Sequence, residues 1–146
     1  MGQLRETIWA VGDNTIFFSE LKQRIEQYTG QAQKLSSQEI SFSDSSKHDF
    51  ELNATETINL FRIVQESINN AIKYSQATTI TVDISDNGEA IQIEIIDNGI
   101  GFDQNEAVKY GSGLKGLKTR ADEINADIKI ASAKGKGATI SIHWKK

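Results

Sequence analysis

Residues 79–96 constrain the fold most. The segments "TITVDIS" at 79–85 and "AIQIEII" at 90–96 each alternate apolar and polar residues, and "DNGE" joins them. Alternation at every second residue puts the apolar set on one side of a pleated strand. Asn87-Gly88 tolerates the positive φ of a tight hairpin turn, so the two segments read as antiparallel strands of a sheet with one dry face. Something else in the chain must cover that face.

Helices supply the cover. From Thr55 or Glu56 to Ser75, the residues Phe61, Val64, Ile68, Ala71 and Ile72 fall on one arc of a helical period, while Glu66, Asn70 and Lys73 share the opposite side. "ELKQRIEQY" repeats the pattern with Leu21, Ile25 and Tyr28, running to about Gln33 with Ser19 as its N-cap. "LRETIWAV" places Leu4, Ile8 and Val11 at helical spacing until Gly12, Asp13 and Asn14 end it. "EISFS" at 39–43 reads as a strand and "DSSKHDFELNA" as a polar surface loop. "LKGLKTRADEIN" at 114–125 reads as a helix, and "DIKIAS" and "ATISIHW" as a closing hairpin across "GKG". This order predicts a two-layer α/β sandwich, a mixed, mainly antiparallel sheet covered on one face by helices. A chain of 146 residues, 38% of them hydrophobic, suits one core.

Composition narrows the chemistry. Without cysteine there are no disulfides, thiol nucleophiles or cysteine metal sites, and His48 and His143 lie far apart with no zinc-type spacing. No run of 18 apolar residues and no basic-then-apolar leader occurs, so the expectation is a cytoplasmic domain with no direct membrane contact. Charge is uneven: residues 1–100 carry 7 Lys/Arg against 15 Asp/Glu, residues 101–146 carry 9 against 5. A net-basic, glycine-rich C-terminal third reads first as a solvated surface and also suits a polyanionic ligand. Nucleic acid is not expected, because no aromatic-interleaved basic run accompanies the charge.

Three polar patches need a common explanation. Glu66, Asn70 and Lys73 form one face of a helix; "IIDNGIGF" ends a strand with Asp97 and follows it with Gly99 and Gly101; "GSGLKGL" at 111–117 opens a helix. Asp97-Asn98-Gly99 alone is an ordinary Asx-type turn. Gly101 adds a demand for positive φ or close backbone approach beside a carboxylate that accepts from an exocyclic amine. Gly111 to Gly116 spells G-x-G-x-x-G, but no buried strand of a βαβ unit precedes it and no strand-end acid follows, which rejects the dinucleotide fingerprint. Leu117 stands between Gly116 and Lys118, which puts the segment out of register for a P-loop. What remains is a set of free N–H groups at a helix start, suited either to a structural cap or to phosphate. Together with an amide able to hold a hard cation, the patches make a set for magnesium-nucleotide binding.

These residues resemble the Bergerat-fold ATPases, the group of gyrase-type, Hsp90-type, mismatch-repair and sensor histidine kinase ATP-binding domains. "ESINNAIKY" resembles the N box E-x-x-x-N-A-x-K-H, "DNGIGF" the G1 box, "GSGLKGL" the G2 box and "GKGATISI" the terminal element, together spanning about residues 38–144. The resemblance implies that Asp97 accepts from the adenine amine with Thr139 nearby and that Asn70 holds magnesium, Glu66 being a second candidate ligand. It implies that Glu66 orients or activates the nucleophile, and that Glu66, Asn70 and Lys73 form the catalytic set. Tyr74, Gly99, Gly101, Phe102, Gly111, Ser112, Gly113, Leu114, Lys115 and Gly116 would complete the ATP cleft and its phosphate lid. Arg120 is similar to the arginine of "GLxxR" in nitrate-sensor and membrane-fluidity-sensor kinases, where it reads as anchoring the helix. Nine residues between Gly101 and Gly111 match that short-lid subgroup, whereas Tyr74 departs from the N-box histidine.

The activity implied is that of a sensor histidine kinase catalytic domain. It would pass the γ-phosphoryl of Mg-ATP to a histidine on a separate dimerisation domain, upstream of a response regulator. Neither His48 nor His143 has the helical setting of a phosphoacceptor, so that histidine is expected outside this chain, in a longer, membrane-anchored homodimer. Residues 1–37 would be the end of the dimerisation helix, a linker and an N-terminal helix, and 38–146 the ATP-binding domain. An anti-sigma-type regulator and a nucleotide-binding module without phosphotransfer are the alternatives.

Overall fold

The computed structural model describes residues 15–102 and 112–145, with side chains from 114 onward in the second stretch. The expected helix end at "LRETIWAV" lies outside the described residues, as does Gly111. The elements in chain order are β1 (Ile16–Phe17), α1 (Phe18–Leu35), β2 (Glu39–Asp44), β3 (Glu51–Leu52), α2 (Ala54–Tyr74), β4 (Thr79–Asp86), β5 (Ala90–Asp97), α3 (Ser112–Glu123), β6 (Asp127–Ser132) and β7 (Ala138–Lys145).

Five strands form one sheet in the order β2-β4-β5-β7-β6. The β2–β4 pair is parallel and the other three pairs are antiparallel, the expected mixed sheet. Parallel neighbours need a crossover, and α2 lies within it. The hairpin between β4 and β5 turns through Gly88 at φ 88°, while the Asn87 side chain accepts from the Glu89 and Ala90 N–H groups at 2.9 and 2.8 Å.

One sheet face is dry. Ile80, Val82, Ile84, Ile91, Ile93, Ile95, Ile140, Ile142 and Trp144 are buried there beneath the helices. The opposite face carries Gln92, Glu94, Ser141 and His143, with Ser141 Oγ donating to Glu94 at 3.3 Å.

The helix α2 is set by its sequence at both ends. Asn53 Oδ1 accepts from Glu56 N at 2.8 Å and Glu56 Oε1 accepts from Asn53 N at 2.9 Å, a reciprocal capping box. Leu60, Ile63, Val64, Ser67, Ile68 and Ala71 are its buried stripe, whereas Phe61 and Ile72, expected in the core, lie at its margin. At the other end Ser75 Oγ donates back to Ala71 O at 2.5 Å.

Two expectations fail locally. Ser19 does not cap α1, which starts at Phe18 without a side-chain cap; instead Ser19 N and Oγ both donate to the Asp49 carboxylate at 3.0 Å. Nor is "DSSKHDFELNA" wholly a surface loop, because Phe50 and Leu52 are buried and β3 pairs antiparallel with β1. These two apolar residues, two positions apart in a polar stretch, are buried in the core. Phe18, Leu21 and Ile25 of α1 enter the same core as the sheet.

Candidate functional site

The site is organised around α2. Its C-terminal end receives the loop after β5, and its middle receives α3.

Asp97 is the last residue of β5 and points to the helix-covered face, in line with Ile91, Ile93 and Ile95. It is 8% exposed, an unusual place for a carboxylate. Burial pushes its pKa above the ordinary carboxylate value, and hydrogen bonds from the Gly99 and Ala138 N–H groups pull the other way. Gly99 N donates to Oδ1 at 2.9 Å, the expected Asx-type turn.

The next residues lock this acid to its neighbours. Asn98 Oδ1 accepts from Thr78 and Thr79 N–H at 2.9 and 3.0 Å, and Ile100 N donates to Ser75 O at 2.8 Å. A Cβ at Gly99 would sit 2.1 Å from that same Ser75 oxygen, and one at Gly101, where φ is +63°, would sit 2.1 Å from Ala133 O. Gly101 thus has both the positive φ and the close backbone approach expected of it, whereas the resemblance placed both glycines beneath a nucleotide. Their vacant side-chain positions are instead taken by the chain's own carbonyl groups. Ser132 closes the junction, accepting from Phe102 N and donating to Gly137 O, both at 2.8 Å, with Phe102 buried beneath. Ser75 and Ser132 carried no sequence signal, since their roles follow from backbone atoms distant in the chain, and Gly137 was legible only as part of "GKGATISI".

Thr139 requires a correction as the neighbour of Asp97. It pairs with Ile96, and Ala138 pairs with Asp97. Alternation therefore sends the Thr139 side chain to the opposite sheet face from the carboxylate.

On α2 the predicted patch divides. Lys73 is exposed and Tyr74 is 43% exposed at the helix end, near the Ser75 junction. Asn70 is only partly exposed, and its Nδ2 is buried with no hydrogen-bond partner among the described residues. A half-turn of the amide exchanges nitrogen and oxygen without changing shape, so this orphan position can present a donor or an acceptor. Unpaired buried polar atoms are rare, and this one is available to a partner from outside the described residues.

Glu66, one turn earlier, faces α3. Its Oε1 accepts from Arg120 Nε at 3.1 Å, and its Oε2 lies 3.7 Å from the position of a Cβ on Gly116. Leu114, Leu117 and Ala121 bury the opposite flank of α3 and fix its rotation. Lys115 is exposed; Ser112 and Gly113 are described only as the helical start. The structure thus joins the Asp97 loop to the end of α2 and α3 to its middle.

The profile of the family described as "Histidine kinase-, DNA gyrase B-, and HSP90-like ATPase" matches residues 55–146, more than half of the chain. The chain belongs to this family. The ATPase-family match takes in α2, the Asp97 loop, α3 and the last hairpin. Sensor histidine kinase LiaS of Bacillus subtilis is 36% identical over 83 residues, which are 57% of this chain and 23% of that protein. Sensor protein VraS of Staphylococcus aureus is 37% identical over 83 residues, 57% of this chain and 24% of that protein. The chain thus spans about a quarter of these curated relatives. Among solved structures, the catalytic domain of histidine kinase ThkA superposes with a TM-score of 0.71 at 14% identity, covering 91% of this chain and 97% of that one. That likeness gives the ATPase-family fold: an α/β sandwich of the histidine kinase catalytic type. Among the described residues no helix is long and apolar enough to cross a membrane.

Proposed function

We propose that this domain binds Mg-ATP between α2, the Asp97 loop and α3 and delivers the γ-phosphoryl group to a histidine on a separate dimerisation domain. The observation that carries the reading is Asn70: its Nδ2 is buried without a hydrogen-bond partner among the described residues, on α2 between Glu66 and the helix end that receives the Asp97 loop.

In this reading Asp97 accepts from the adenine amine, its desolvated carboxylate being selective for a donor. Asn70 turns its amide oxygen to magnesium, with Glu66 a second candidate ligand. A bound magnesium ion supplies neutralisation of phosphate charge. Lys73 adds a mobile positive charge, and the N–H groups opening α3, with Lys115, receive the phosphates. Glu66 faces the incoming imidazole, and catalysis is chiefly positioning. Tyr74 lines the cleft mouth in place of the family's histidine.

The relatives' names support placing the domain in a two-component sensor. The phosphoacceptor helix, the response regulator and the homodimer belong to that proposal, as do a short phosphate lid of the nitrate-sensor type and a cytoplasmic location. Residues 1–37 would then lead from the dimerisation helix into the domain. The test is calorimetric titration of the chain with ATP and ADP, with and without magnesium, followed by incubation with labelled ATP and a separately supplied dimerisation domain. Magnesium-dependent binding and an acid-labile phosphohistidine are expected. Binding without phosphohistidine would make the chain a nucleotide-responsive module, and no binding would overturn the proposal.

A further inference from the structure

The Glu66–Arg120 pair does more than fasten α3. The two side chains meet at 3.1 Å across 54 positions of sequence, and each is 32% exposed. An ion pair this open to water contributes little to stability, so anchoring alone is a weak reason for it. Burial of Leu114, Leu117 and Ala121 already holds α3 against the core.

Its geometry serves orientation. Arg120 Nε holds Oε1 of Glu66, and Gly116, one turn earlier on the same helix face, lacks the Cβ that would stand 3.7 Å from Oε2. A planar guanidinium fixes the plane of a carboxylate far better than a flexible ammonium does. One oxygen is therefore held, and the other makes no hydrogen bond among the described residues. The helix supplying both contacts begins at Ser112, within the glycine-rich segment 111–117. Any shift of α3 along or about its axis moves Arg120, and with it Glu66.

We infer that Arg120 is a positioning residue for Glu66, linking the seating of α3 on nucleotide phosphates to the orientation of the carboxylate that faces the phosphoacceptor. The inference rests on the kinase reading of Glu66. It concerns turnover, because Arg120 contacts the carboxylate on the side of α3 that faces α2.

The experiment measures phosphotransfer from labelled Mg-ATP to the histidine-bearing dimerisation domain, with kcat and KM separated, alongside affinity for a fluorescent ATP analogue. Arg120→Ala should lower kcat by about tenfold or more while KM and analogue affinity stay within about threefold. Arg120→Lys should recover part of the loss. In a Glu66→Gln background, Arg120→Ala should add nothing, since the two act as a unit. A fall in thermal stability with kcat unchanged would overturn the inference, as would losses that multiply in the double variant. Should Arg120→Ala not fold, Arg120→Gln and Arg120→Lys carry the same comparison. A wild-type chain without transfer, or a Glu66→Gln variant as active as wild type, removes the functional reading and this inference with it. Loss in Glu66→Gln with full activity in Arg120→Ala removes only the inference.

Discussion

A Cβ on Gly99 would stand 2.1 Å from the carbonyl oxygen of Ser75. That oxygen already accepts from Ile100 N at 2.8 Å, so neither the end of α2 nor the loop has room to yield without losing the bond that joins them. Gly99→Ala should therefore destabilise the fold by about 2–4 kcal/mol even without nucleotide, as backbone overpacking does. Urea unfolding of the unliganded protein checks this; stability equal to wild type would show that the loop is not pinned there.

Asp97 sets binding against stability. Its folded-state pKa is raised, chiefly by burial, so the native state keeps its proton to higher pH than the unfolded chain. Stability from this group is thus greatest at low pH, declines as pH rises from its ordinary value of 3.8 through the raised folded value, and stays reduced at neutrality. Asp97→Asn keeps the acceptor for Gly99 N and removes the charge. Denaturant melts between acid and neutral pH should show a variant at least as stable as wild type at neutrality, with the local decline abolished. Titration should show ATP affinity falling by about tenfold or more, because the amine loses its ionised acceptor.

Patterns within one element were legible in the sequence. The alternation of β4 and β5 and the glycine-flanked acid appear where the residues predicted them, and the stripe on α2 keeps Val64, Ile68 and Ala71 but turns toward Leu60 and Ile63. What escaped was set by register between distant segments. Thr139 differs from Ala138 by one position, yet only pairing with β5 decides which of them adjoins Asp97. The reason for Gly99 lies 24 residues upstream in a carbonyl group, and backbone atoms carry no sequence signature. Arg120 could be read as an anchor, but nothing in the chain named Glu66 as what it anchors to.

Asp86 holds the loop before β3 against the β4–β5 turn. Burial acts to raise its pKa, but hydrogen bonds from Lys47 N, the His48 ring, Gly88 N and His48 N outweigh that and hold it at about 2. The stabilisation is present above the ordinary value of 3.8 and is lost as pH falls from there through about 2. Asp86→Ala should speed hydrogen exchange at the Lys47, His48 and Gly88 amides at neutral pH and lower the melting temperature. Unchanged protection of all three would contradict the clasp.

Asn53 tests the start of α2 separately. Its side chain and that of Glu56 satisfy each other's N–H groups. Asn53→Ala should lower unfolding free energy by about 1 kcal/mol, the usual effect of losing an N-cap. Since Asn53 lies at the far end of the helix from Asn70, ATP affinity should not move.

Gly116 supplies the contrast to Gly99. It lies within α3, and among the described residues a Cβ there meets only Glu66 Oε2 at 3.7 Å, an ordinary contact. A glycine inside a helix is less favourable than alanine by about 0.5–1 kcal/mol, and no clash offsets the gain. Gly116→Ala should therefore raise the melting temperature by about 2–4 °C in a domain of this size. A longer side chain has no such freedom, because it extends into the carboxylate that Arg120 already holds. Gly116→Leu should keep the helical circular dichroism of Gly116→Ala while reducing phosphotransfer, since the extra atoms displace Glu66 rather than α3. Equal transfer rates in the alanine and leucine variants would mean that the space beside Glu66 has no part in orienting it.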